Sequence, residues 1–167
     1  MIRQDTNKNS RGVNSSNVRF VNQFNSFTLA AITTTVKSIK FASKPENISI
    51  VEKFIDELKS EVNIGDEVFG NILISLTEGA NNAMIHGNKC DEKKDVEISW
   101  SVDDRGKNLT FIIKDHGPGF DYNHLPDPTA PENLEKTHGR GVFLMMQLAD
   151  MIVFSDKGAT VEMSFKI

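Results

Sequence analysis

Three short stretches of this chain bring carboxylates, a carboxamide and glycines together in ways that could hold a ligand. In Asp115-His116-Gly117-Pro118-Gly119 a carboxylate ends the apolar run Leu109-Thr110-Phe111-Ile112-Ile113, and two glycines then let the backbone approach a ligand closely. Such a carboxylate can accept a hydrogen bond from the amine of a base, although the same residues also fit an ordinary strand exit. Upstream, Glu78 and Asn82 stand four residues apart and share a face if the segment is helical. A paired carboxylate and carboxamide suits an oxygen ligand for Mg2+ and a base for an attacking hydroxyl; it also suits a solvated i, i+4 hydrogen bond. Gly79 and Ala80 beside the pair leave room for a bound group.

The third stretch, Thr137-His138-Gly139-Arg140-Gly141-Val142-Phe143-Leu144-Met145, is a glycine turn opening an apolar helix. Free amides at a helix start bind phosphate through hydrogen bonds and the positive end of the helix dipole. Arg140 fits either a phosphate clamp or a solvated surface residue. Residues 120–136, with Pro126, Pro128 and Pro131, form a connection longer than compact domains usually carry, which suggests a lid over a nucleotide.

The elements that must carry these groups follow from periodicity. Val68, Phe69, Ile72, Leu73, Leu76, Ala80, Ala83 and Met84 recur at helical spacing, predicting a helix over 66–86 that stops near Gly87. Ser43-Lys44-Pro45-Glu46 has the form of a capping box for an earlier helix bearing Ile48, Val51, Ile55, Leu58 and Val62, which stops near Asn63-Ile64-Gly65. Residues 35–41 form a candidate strand. Val96, Ile98, Trp100 and Val102 alternate with polar residues, and Asp104-Arg105-Gly106-Lys107-Asn108 turns this strand into the next. There Leu109, Phe111, Ile113 and Asp115 share parity, so the carboxylate faces the helices and needs a partner. Residues 151–155, a turn at Asp156-Lys157-Gly158 and the alternating run 159–167 close the pattern. Alternating strands need only one covered face, so the fold class is α+β: a two-layer sandwich with a mixed, mostly antiparallel sheet under three helices.

In order and approximate spacing, Glu78-x-x-x-Asn82, Asp115-x-Gly117-x-Gly119 and Gly139-x-Gly141 match the N, G1 and G2 boxes of the GHKL (histidine kinase-like) ATPase superfamily. With Leu125-Pro126-Asp127-Pro128, Glu132-Asn133-Leu134 and the run Gly139 onward, residues 36–167 resemble the bacterial anti-sigma factor serine kinases of the RsbW and SpoIIAB type. The resemblance implies the Bergerat ATP-binding fold and an ATP-dependent serine/threonine protein kinase with ATP and Mg2+ as cofactors. It implies Glu78 as general base, Asn82 as the Mg2+ ligand, Asp115 as the adenine acceptor and a phosphate cradle at the glycine turn. The implied nucleotide contacts are Asn82, His86, Asp115, Gly117, Gly119, Thr137, Gly139, Arg140, Gly141 and Val142. His86 and His116 themselves read as neutral, hydrogen-bonded side chains rather than catalytic ones. Implied partners are a STAS-domain anti-sigma antagonist, which would be phosphorylated, a sigma factor, which would be sequestered, and a second copy in a homodimer.

Two other ATP-using classes fit less well. A sensor histidine kinase needs a phosphoacceptor histidine on an upstream helix, yet all four histidines, His86, His116, His124 and His138, follow Glu78. A gyrase-like or MutL-like machine is expected to carry a transducer domain after the G2 turn. The competing function is an ATP-binding regulatory module that sequesters a partner without significant kinase activity.

Composition fits one domain with a core: 167 residues, 38% hydrophobic, 25% charged. No apolar run approaches about 18 residues, and no secretory signal is evident, so a cytoplasmic location with no membrane contact is expected. A net charge of −4 lacks the basic footprint of a direct nucleic-acid binder. Cys90, the single cysteine, suggests neither a disulfide nor a zinc site. Residues 1–34, rich in asparagine and serine, read as a flexible polar tail, and 35–167 as the ATP-binding domain.

Overall fold

The computed structural model describes residues 36–103, 105–125 and 140–167. In chain order the elements are β1 (Lys37–Ala42), α1 (Ile48–Glu61), α2 (Asp66–Asn81), β2 (Asp95–Val102), β3 (Asn108–Lys114), α3 (Arg140–Leu148), β4 (Met151–Ser155) and β5 (Thr160–Lys166). The five strands form one sheet in the order β1-β2-β3-β5-β4. Every pairing is antiparallel, so the mixed sheet of the sequence reading resolves into a wholly antiparallel one among the described residues. The tail assigned to 1–34 lies outside the described residues.

The pleat explains which face is covered. Ile39, Ile98 and Ile113 lie in one register row, as do Phe41 and Val96, and Trp100, Phe111 and Met163 continue the same inward parity. These side chains meet Val51, Ile55 and Leu58 of α1, Ile72 and Leu76 of α2, and Met145 of α3 in one core. Ile72 and Leu76 are fully buried, and each contributes about 1.5–3 kcal/mol of burial. The helix predicted over 66–86 is present, with a change of winding near its end. After Asn81 it widens into a π-helical turn, Asn82–Gly87. Widened turns of this kind occur often at functional sites.

The capping box does not form. Ser43 is buried, and its hydroxyl donates to the Lys94 carbonyl at 2.8 Å instead of capping α1. A 3-10 turn at Pro45–Asn47 leads into α1, and no side chain caps it. A tertiary contact has taken the hydroxyl that the local signal assigned to the helix end.

Candidate functional site

Asn82, His86 and Asp115, three of the polar residues singled out by sequence, line a cavity of about 290 Å³ between helices and sheet. Its helix side is Gly79, Asn82, Ala83, His86 and Gly87, from α2 and the π-helical turn. Ile113, Asp115, Ala159 and Val161 supply the sheet side, Val142 and Met145 of α3 a third wall, and Gly119, Phe120 and Leu125 the rim. Most of the lining is apolar, with Asp115 the one carboxylate, as in a slot for a flat ring read at one edge.

Asp115 is half-buried just beyond β3, facing the helices as strand parity requires. Its backbone N–H donates to the Ala159 carbonyl at 3.0 Å, extending the β3–β5 ladder, and its Oδ1 accepts from Gly117 N–H at 2.6 Å. Burial pushes its carboxyl above the ordinary aspartate value; the Gly117 bond and the charges of His116 and Lys94 pull the other way.

Three glycines make this geometry possible. A Cβ at Gly87 would lie 2.5 Å from Asp115 Cγ and 2.6 Å from each carboxylate oxygen. At Gly117 it would overlap the Gly87 carbonyl, so the strand exit and the end of the helix are in backbone contact. Gly119 has a left-handed φ of 80°, and a Cβ there would run into the Lys157 carbonyl, which accepts from Phe120 N–H at 2.8 Å. That carbonyl belongs to a turn in which Asp156, Lys157 and Gly158 are all left-handed, with φ of 50°, 58° and 97°. Two successive non-glycine residues in that region store strain where the turn grips the 115–120 segment. Phe154 packs against Phe120 at 5.5 Å, edge to face, and stacks on Tyr122 at 5.4 Å, stiffening the rim.

Asn82 and Glu78 stand where α2 changes winding. Asn82 N–H donates to the carbonyls of both Glu78 and Gly79. Both side chains are half-buried. Asn82 Nδ2 is buried without a hydrogen-bond partner among the described residues, so no neighbour fixes which end of the amide faces the cavity. Glu78 does not line the cavity; its Oε2 would lie 2.5 Å from a Cβ at Gly141, at the start of α3. The structure therefore brings Glu78, Asn82, His86, Asp115, Gly117, Gly119, Gly141 and Val142 into one neighbourhood, with exposed Arg140 opening α3. Thr137, Gly139 and residues 126–136 of the lid expected over 120–136 lie outside the described residues.

Residues 41–165 match the family described as Histidine kinase-like ATPase domain. The chain belongs to that family. As a histidine kinase-like ATPase domain it is suited to ATP, and its α+β fold is the one the family resemblance implied. The chain is also similar to curated proteins. It is 24% identical to "Serine-protein kinase RsbW" of Bacillus cereus (strain Q1) over 133 residues, 75% of this chain and 81% of the relative. It is 28% identical to "Anti-sigma F factor" of Clostridium perfringens (strain 13 / Type A) over 135 residues, 77% of this chain and 94% of the relative. No helix among the described residues is long and apolar enough to cross a membrane.

Several participants carried no sequence signal of their own. Ala159 and Lys157 act through backbone carbonyls, which residue type does not reveal. Phe154 and Val161 read simply as strand interior. Met145, on the apolar helix after the glycine turn, is core and is also a wall of the cavity.

Proposed function

We propose that this chain is an ATP-dependent serine/threonine protein kinase acting as an anti-sigma regulatory factor, which phosphorylates a STAS-type antagonist and sequesters a sigma factor as a homodimer. The observation that carries the reading is Asp115: a carboxylate facing an apolar slot, one oxygen held by Gly117 N–H and the other left for a ligand donor. The exocyclic amine of adenine is such a donor. The names of the relatives, a serine-protein kinase and an anti-sigma factor, support the protein substrate and the sigma partner.

In this reading Gly87, Gly117 and Gly119 keep the slot thin enough for a purine. The amides at the start of α3, from Gly141 onward and with the preceding Gly139, receive phosphate oxygens, assisted by Thr137, Arg140 and Val142. His86 borders the mouth beside Asn82. Asn82 is the residue suited to Mg2+, because its unpartnered amide can present Oδ1. No group of three or more His, Cys, Asp or Glu side chains that could hold a metal occurs among the described residues, so Mg2+ would rely on phosphate oxygens for its remaining ligands. When bound, Mg2+ supplies charge neutralisation on the phosphates. Glu78 accepts the proton of the attacking serine or threonine hydroxyl as its oxygen bonds to the γ-phosphorus and the bond to the bridging oxygen of ADP breaks.

The test is transfer of label from γ-labelled ATP to a purified STAS-domain antagonist. Wild type is expected to label it, and Glu78→Gln to bind ATP while losing transfer by about 100-fold or more. An antagonist that binds but stays unlabelled with wild type would leave an ATP-binding regulatory module as the function, and an unchanged transfer rate in Glu78→Gln would remove Glu78 as the base.

A further inference from the structure

We infer that Asn88 is a positioning residue for base selection, holding Asp115 in register with the end of α2. The inference rests on the reading of Asp115 as the adenine acceptor and extends it to a residue outside the cavity. Asn88 is 1% exposed and absent from the cavity lining. A buried carboxamide survives only when its polar atoms are satisfied, and this one ties together three segments far apart in sequence. Its Nδ2 donates to Ser43 Oγ at 2.8 Å and to the Asp95 carbonyl at 2.9 Å, and its Oδ1 accepts from His116 N–H at 2.8 Å. Its own backbone N–H donates to the Ala83 carbonyl, closing the π-helical turn.

The bond to His116 N–H matters most, because that amide follows Asp115 directly. Asp115 is thereby tethered on both sides, by its own N–H to Ala159, just before β5, and by the next N–H to Asn88. Its carboxylate can then close on Gly117 N–H with one oxygen and offer the other to a ligand. Asn88 also sits next to Gly87, whose missing side chain makes space for that carboxylate. One side chain thus sets the distance between the helix end and the strand exit, the dimension that decides whether Asp115 meets a purine amine. Without it, the amide after Asp115 loses its acceptor, and the carboxylate can turn toward water.

A merely structural tie would lower stability and weaken all nucleotides alike, so selectivity is the readout. Calorimetry on the full chain with Mg2+ compares ATP with purine riboside triphosphate, which lacks the 6-amino group. Wild type is expected to prefer ATP, Asn88→Ala to shrink that preference about 5- to 10-fold, and Ser43→Ala to lower the melting temperature while keeping the preference. Should Asn88→Ala fold poorly, Asn88→Ser carries the same comparison. Amide exchange at His116 in nucleotide-free wild type offers a check independent of any variant, with protection expected. An Asn88 variant that keeps the wild-type preference, equal losses for both triphosphates, or a rapidly exchanging His116 amide overturns the inference. If wild type itself shows no preference for the 6-amino compound, the Asp115 reading falls and takes Asn88 with it.

Discussion

Gly87→Ala places one methyl group where the structure has no room except by moving Asp115. Gly87 lies in the π-helical turn and is not among the left-handed glycines, so alanine meets no backbone objection and could gain up to about 1 kcal/mol of helix propensity. The new Cβ, however, would stand 2.5 to 2.6 Å from three atoms of the Asp115 carboxyl group. That group must swing away and give up its bond to Gly117 N–H, at a cost of about 1.5–3 kcal/mol for a charged acceptor. The fold should therefore lose no more than about 2 kcal/mol. Adenine binding should lose the whole contact with its amine, worth a similar 1.5–3 kcal/mol, or roughly 10- to 150-fold in Kd. Calorimetry with ATP and Mg2+, alongside urea unfolding, measures both. The contrast ligand is tripolyphosphate, whose affinity should stay within about threefold because the phosphate end is untouched. ATP affinity within threefold of wild type would refute the assignment of Asp115, and an equal loss for tripolyphosphate would show that the whole site had shifted.

Burial raises the Asp115 carboxyl, so the folded chain holds that proton more tightly than the unfolded one, and the cost of burying the charge appears only as pH rises from the ordinary value through the raised one. Asp115→Asn is therefore expected to melt above wild type near neutral pH, with the gap narrowing toward about pH 4; a gap independent of pH would contradict this. Gly119→Ala should destabilise by at least about 2 kcal/mol in urea, since it combines a left-handed φ with collision against the Lys157 carbonyl. Lys157→Gly should stabilise by about 0.5–1 kcal/mol with an unchanged m value, because the side chain is exposed, the φ of 58° favours glycine and the carbonyl that holds Phe120 is retained.

What the sequence made legible was what repeats. The α2 apolar positions recur over several turns, and Val96, Ile98, Trp100, Leu109, Phe111 and Ile113 alternate cleanly, so helix, hairpin and covered face could all be read off. The inward aim of Asp115 followed from the same parity. Single, non-periodic features were the ones that misled or stayed hidden. Ser43 carried a local capping signal, but it is buried beside Lys94 and Asn88, and a buried hydroxyl must satisfy its neighbours first. Asn88 showed only as a polar residue after a helix-ending glycine, because its meaning depends on Asp95 at the start of β2 and His116 beyond the end of β3. The widening of α2 at Asn82 has no compositional mark at all.

The strand order carries a consequence for biosynthesis. Because β5 slides between β3 and β4, the carbonyl that pins Asp115 is not in place until residues 159–166 have emerged from the ribosome and inserted. A nucleotide read by Asp115, as proposed, would bind only after that insertion, and its binding free energy would then shift the chain toward the folded state by mass action.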